Sequence, residues 1–101
     1  MKVLKDILSE SKQYYLDSKK KIEDKLLQLP KGSIKEREIG GKIYYYLQQR
    51  IGSKISHRYL GKKRPDDIIK KIKERKMLKD QLKKVTDAIK ILRRAEGRKH
   101  D

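Results

Sequence analysis

The sequence predicts an α+β fold in which two long antiparallel helices form a helical hairpin, with a three-stranded antiparallel sheet inserted at one end. Apolar residues recur with helical spacing at both ends of the chain, alternate with a period of two in the middle, and are interrupted there by glycine-containing turns. A chain of 101 residues is expected to be one domain. The predicted segments are a helix over 1–29, a sheet over 33–60, a helix over 65–96 and a tail over 97–101.

The first helix is predicted from a heptad seam of mostly apolar residues. Its positions are Leu4, Leu8, Ser11, Tyr15, Ser18, Ile22 and Leu29, with Lys25 or Leu26 in the remaining slot. Val3, Ile7 and Tyr14 widen the stripe. Pro30 is expected to end the helix, because proline cannot continue its hydrogen-bond ladder.

The last helix begins at Pro65, which is favoured at the first helical position, and continues with two aspartates at the positive end of the helix dipole. Its seam is Leu78, Leu82, Val85, Ile89 and Leu92, and Gly97 is the expected stop. Isolated helices are marginal in water, so each seam needs a partner. We expect the two helices to pair within one chain, and a homodimeric coiled coil is the alternative.

Three strands are predicted between the helices, over Ser33–Ile39, Lys42–Arg50 and Lys54–Leu60. Gly40-Gly41 is a two-residue hairpin turn of the kind that requires positive φ. We expect a three-residue second loop, Ile51-Gly52-Ser53, that pairs Arg50 with Lys54. A loop of two or four residues would shift the register by one residue and exchange the faces of the third strand.

The expected register separates cationic from apolar side chains. One face would collect Lys35, Arg37, Ile39, Lys42, Tyr44, Tyr46, Gln48, Arg50, Lys54, Ser56 and Arg58. The other would collect Ile34, Glu36, Glu38, Ile43, Tyr45, Leu47, Gln49, Ile55, His57 and Tyr59. The second face is expected to pack on Ile68, Ile69, Ile72 and the end of the first helix, with His57 as a packing residue.

The net charge points to a polyanionic partner. Thirty Lys and Arg residues face fourteen Asp and Glu residues, a formal charge of +16. Residues 31–64 alone carry +8, and residues 40–64 contain no acid. A Lys-rich surface produced by genome composition or heat adaptation would spread the excess evenly, so the concentration favours a localised nucleic-acid surface.

The predicted nucleic-acid-binding residues combine cations for phosphates with rings for bases. They are Lys35, Arg37, Lys42, Tyr44, Tyr46, Gln48, Arg50, Lys54, Arg58, Lys62, Lys63 and Arg64. The structural alternative is that the tyrosines only favour strands while the cations are solvated. A sheet of this size could enter a major groove, and single strands are equally conceivable.

Other chemistry is not indicated. The chain has no cysteine and only two isolated histidines, so we expect neither metal nor cofactor, and it contains no catalytic motif, so we expect no enzyme. It lacks a membrane-spanning run, although a basic amphipathic helix on an anionic membrane is a weaker alternative. We predict a cytoplasmic protein, nucleoid-associated if it binds DNA.

The central segment carries a recognisable pattern: Leu29 to Ile34, Tyr44 to Leu47, then Arg50, Gly52, Lys54 and Tyr59-Leu60-Gly61. It resembles a family of small uncharacterised proteins of bacteria, archaea and mobile elements. It is also similar to the N-terminal strands of certain insertion-sequence transposases, although the turn glycine is displaced here by one position. The resemblance implies a mobile-element or DNA-transaction context and transfers no catalytic residue.

The resulting hypothesis is a non-enzymatic nucleic-acid-binding accessory protein, with DNA favoured over RNA as the partner. The alternative is a protein-interaction module, such as an inhibitor encoded by a mobile element, that docks on a nucleic-acid-processing protein or ribonucleoprotein of the host.

Overall fold

The computed structural model describes residues 2–97, which form two helices and a three-stranded antiparallel sheet. The elements are α1 (Lys2–Gln28), β1 (Ser33–Ile39), β2 (Lys42–Ile51), β3 (Lys54–Gly61) and α2 (Asp66–Gly97), and the strand order is β1-β2-β3. The predicted α+β class and element order are confirmed. Gly97 belongs to α2, and the rest of the predicted tail, 98–101, lies outside the described residues.

The chain divides into two compact units. We call Met1–Gln28 with Met77–Asp101 the helical unit and Leu29–Lys76 the sheet unit. In the helical unit, Leu78 and Ile89 of the predicted α2 seam are buried. Lys12 Nζ donates to Glu96 Oε2 at 3.0 Å, which joins the first half of α1 to the last turn of α2, as an antiparallel pair requires.

The sheet unit has a thin core between the sheet and the first turns of α2. Leu47 of β2 and Ile72 of α2 are buried, and Ile34 of β1 lines one cavity together with Ile69 and Ile72. This agrees with the predicted packing of the sheet on Ile69 and Ile72, whereas Ile68 lines a different hollow, and the predicted contact with the end of the first helix stays a prediction. Burial of these few side chains supplies the hydrophobic stabilisation of the unit.

The first turn forms as predicted. Ile39 pairs with Lys42, and the two glycines between them have φ angles of 59° and 80°. Positive φ at both central positions defines a type I′ turn, whose twist matches that of the flanking strands. Glycine meets this requirement at no steric cost.

The second turn differs from the prediction. Ile51 pairs with Lys54, so the loop contains two residues rather than three, and the expected pairing of Arg50 with Lys54 is wrong. Gly52 has a φ of 63°, whereas no non-glycine residue among those described has a positive φ. That combination suits a type II′ turn, which needs glycine only at its first central position.

Because side chains alternate along a strand, the shorter loop turns β3 over relative to the prediction. Arg50 lies opposite Ile55, Gln48 opposite His57 and Tyr46 opposite Tyr59. The register then shifts between Tyr45 and Tyr46, which is a β-bulge that places Tyr45 opposite Gly61.

Candidate nucleic-acid interface

The observed register defines two faces of the sheet. The tyrosine face consists of Ser33, Lys35, Arg37, Ile39, Lys42, Tyr44, Tyr46, Gln48, Arg50, Ile55, His57 and Tyr59. The packing face consists of Ile34, Glu36, Glu38, Ile43, Tyr45, Leu47, Gln49, Ile51, Lys54, Ser56 and Arg58. Both acids of the sheet are on the packing face, so the tyrosine face contains no carboxylate.

Three tyrosine rings meet at the centre of the tyrosine face. The Tyr59 ring centroid lies 5.4 Å from that of Tyr46 and 6.2 Å from that of Tyr44, at interplanar angles of 52° and 47°. These separations are typical of aromatic pairs in contact. Tyr44 and Tyr46 are half-buried, and Tyr59 is 51% exposed, so the cluster is open to solvent.

Two cations reach this ring cluster from different sides. The Arg37 guanidinium carbon, on β1, lies 5.2 Å from the Tyr46 ring centroid. Lys62 follows β3, and its Nζ lies 5.8 Å from the Tyr44 ring centroid. Both distances fall within the range of cation–π attraction. Positive charge is therefore held against the rings rather than dispersed in solvent around them.

The remaining predicted residues of β1 and β2 surround the cluster. Lys35 lies opposite Tyr46, Lys42 begins β2 next to the first turn, and Arg50 lies near the second turn. All three cations are exposed, and Gln48 is half-buried beside Tyr46. The face thus carries cations along its length and at both ends of β2.

Two predicted residues of β3 lie elsewhere. Lys54 and Arg58 are on the packing face, so the prediction that they share a face with the tyrosines is wrong. The reason is the two-residue turn, which reverses the alternation of the whole strand. Both side chains are exposed.

The segment after β3 divides into residues with different surroundings. Lys62 belongs with the tyrosine cluster through its contact with Tyr44. Arg64 Nε forms an ion pair with Asp66 Oδ1 at 3.1 Å, at the start of α2, and Lys63 lines a shallow hollow with both residues. The structure therefore brings Lys62, but not Arg64, against the rings.

Sequence reasoning missed three residues of the tyrosine face. Ile55, His57 and Tyr59 were expected on the packing face, and all three are exposed on the tyrosine face instead. His57 is consequently not a packing residue. The signal that could have found them is Gly52-Ser53 itself, since glycine followed by serine is a common two-residue hairpin turn.

The described part of the chain contains neither a cluster of metal-ligating residues nor a helix that could span a membrane. Among residues 2–97, no group of three or more His, Cys, Asp or Glu residues is placed to hold a metal ion. Over the same residues, neither helix has an apolar stretch that could cross a membrane.

The comparisons with known proteins identify the family. Residues 8–70 of the chain match the family model described as a domain of unknown function (DUF6788). The match covers more than half of the chain, including all three strands, so the protein belongs to that family. This is consistent with the predicted membership of an uncharacterised family. No curated protein and no solved structure matches the chain.

Proposed function

We propose that this protein is a non-enzymatic nucleic-acid-binding accessory protein that uses the tyrosine face of its sheet. The observation that carries the proposal is the acid-free surface on which Arg37 and Lys62 lie against three clustered tyrosines. Cations bind phosphates and release their counterions, and rings provide surface for sugars and bases.

The placement of charge supports a localised footprint. Lys35, Lys42 and Arg50 are exposed on the tyrosine face, whereas Glu36 and Glu38 project from the other side of β1. A protein whose lysines served only solubility would have no reason to keep its sheet carboxylates off the face that carries the clustered rings of Tyr44, Tyr46 and Tyr59. The segregation lowers repulsion of a phosphate chain at this face.

DNA is the favoured nucleic acid, because the central segment resembles strands of insertion-sequence transposases. We propose that the protein assists a DNA transaction, such as one carried out for a mobile element, rather than catalysing a step itself. A cytoplasmic, nucleoid-associated location follows from this proposal. Each of these points depends on the chain binding nucleic acid at all.

The test compares equal charge reversals on the two faces. Lys35→Glu with Arg50→Glu changes the tyrosine face, and Lys54→Glu with Arg58→Glu changes the packing face by the same charge. Binding to fluorescently labelled oligonucleotides is measured across a salt series. About five cations on or beside the tyrosine face predict a log–log salt slope of about −3 to −5.

We expect the first variant to lose most of its affinity and to have a slope shallower by about two, whereas the second keeps the wild-type slope. Circular dichroism confirms that both variants are folded. Equal losses in both variants would show that only net charge matters and would contradict a localised site. Absence of binding at low salt, together with a stably co-purifying protein, would favour the protein-interaction alternative.

A further inference from the structure

We infer that the tyrosine face binds single-stranded nucleic acid, with unpaired bases stacked on the ring cluster of Tyr44, Tyr46 and Tyr59. The inference rests on the proposed nucleic-acid function and specifies its ligand. It depends on the position of Tyr59, whose ring joins the two rings of β2 into one aromatic surface that extends over two strands.

The ring cluster is open to solvent and is not part of the core. The sheet already has a packing face with buried Leu47, so the tyrosines on the other face are not needed for the core. They leave apolar ring surface exposed, with Tyr59 at 51%. Exposed apolar surface of this kind marks a binding site, and unpaired bases are ligands with flat apolar faces.

Positively charged side chains border the rings. Arg37 and Lys62 approach Tyr46 and Tyr44 from β1 and from the segment after β3, so cations flank the cluster on both sides. A nucleotide whose base contacts a ring has its phosphate at the margin of that contact. Ring faces bordered by cations are the arrangement by which proteins hold single strands without reading their sequence.

A DNA duplex fits the tyrosine face poorly. In double-stranded DNA the base faces are stacked on each other, so the rings could touch only sugars and base edges. The axes of three strands span about 10 Å before side chains are added, against a major groove about 12 Å wide. Apart from the tyrosine hydroxyls, the side chains of the tyrosine face that could read base edges in such a groove are few, namely those of Ser33, Gln48 and His57.

Single-stranded DNA and RNA share this chemistry, so the experiment includes both. The full chain is titrated into labelled strands of about 12 nucleotides, within the usual range of site sizes. The probes are oligo-dT, oligo-rU, a DNA duplex of equal length and an abasic DNA strand that keeps the phosphates but lacks the bases. At physiological ionic strength, we expect at least about tenfold tighter binding of a base-bearing single strand than of the duplex or the abasic strand. The tighter binding of oligo-dT or of oligo-rU then shows which of these two strands the protein prefers.

Variants connect this preference to the rings. Tyr59→Leu keeps apolar volume and removes the ring, and we expect it to weaken single-strand binding by about 5- to 100-fold. Tyr59→Phe keeps the ring and is expected to bind nearly as the wild type does. Tyr14→Leu, at a 67% exposed tyrosine of α1, is the matched control and should leave affinity unchanged.

The outcomes separate this inference from the proposed function. Equal affinity for the oligo-dT, duplex and abasic probes, with a normal salt slope, would overturn the single-strand inference and leave nucleic-acid binding intact. Salt-independent or absent binding to every probe would overturn both. If Tyr59→Leu does not fold, as judged by circular dichroism, the affinities of the wild-type chain for the four probes still decide whether it prefers base-bearing single strands.

Discussion

The same three strands form both faces of the sheet, but one face packs on α2 and the other is exposed. The packing face holds the buried Leu47 and meets Ile69 and Ile72 of α2 through Ile34. The tyrosine face contains exposed cations and an open ring cluster, and no carboxylate. Alternation along a strand allows one small sheet to stabilise the fold on one side and to present exposed cations and rings, the surface we propose for binding, on the other.

The hairpin turns determine which side chains of neighbouring strands share a face. A two-residue turn at Gly52-Ser53 places Tyr59 beside Tyr46, whereas a longer loop by one residue would have placed Arg58 there. The side chains that β3 contributes to the tyrosine face are therefore determined by the backbone of one turn. The amino-acid composition of β3 is the same with a two-residue or a three-residue loop, so composition does not determine which side chains join the tyrosine face.

The largest expected effect is on stability, at the packing face. Leu47→Ala removes the most buried side chain of the sheet unit, at 2% exposure, and should lower the free energy of unfolding by about 2–5 kcal/mol. Ile55→Ala, at an exposed position of the tyrosine face, should cost no more than about 1 kcal/mol. Urea unfolding followed by circular dichroism measures both. Similar losses in the two variants would mean that the faces are not divided as described.

A smaller effect is expected where the chain enters the sheet. Gly32 has a φ of 122°, and a Cβ there would collide with the Gln48 carbonyl oxygen and press on Leu47 and Gln49 of the packing face. Gly32→Ala should therefore lower the free energy of unfolding by roughly 1–3 kcal/mol or more.

Gly52→Ala is the matched control for that substitution. Its φ is also positive, at 63°, but a Cβ at Gly52 would meet no atom within 4 Å. Only the backbone strain of about 1 kcal/mol is expected. Thermal unfolding of the two variants compares them directly, and a larger loss at Gly52 than at Gly32 would contradict the described closeness of residue 32 to β2.

Much of the fold could be predicted from periodicity. The helical seams, the period of two in the strands and the Gly40-Gly41 turn fixed the class and each element to within one residue. These features are local, since each follows from spacing or from the φ that glycine allows. The cations and tyrosines of β1 and β2 were placed on one face for the same reason.

What could not be predicted depends on the second turn and on contacts between strands. The prediction of a three-residue second loop rests on the full separation of charged from apolar side chains. In the structure Lys54 and Arg58 lie on the packing face, so that separation is not complete. Exposed cations can lie on either face at little cost, so charge segregation does not determine register, whereas turn geometry does. The contacts of Arg37 and Lys62 with the rings also depend on side-chain rotamers, which spacing does not specify.

The most direct test of the tyrosine face uses the six tyrosines of the chain. Ring signals are followed by NMR in a ¹³C-labelled protein while a short single strand is added. We predict shifts for Tyr44, Tyr46 and Tyr59, and none for Tyr14 and Tyr15 of α1 or Tyr45 on the packing face. Shifts confined to Tyr45 or to the α1 tyrosines, with the other three unmoved, would contradict the account.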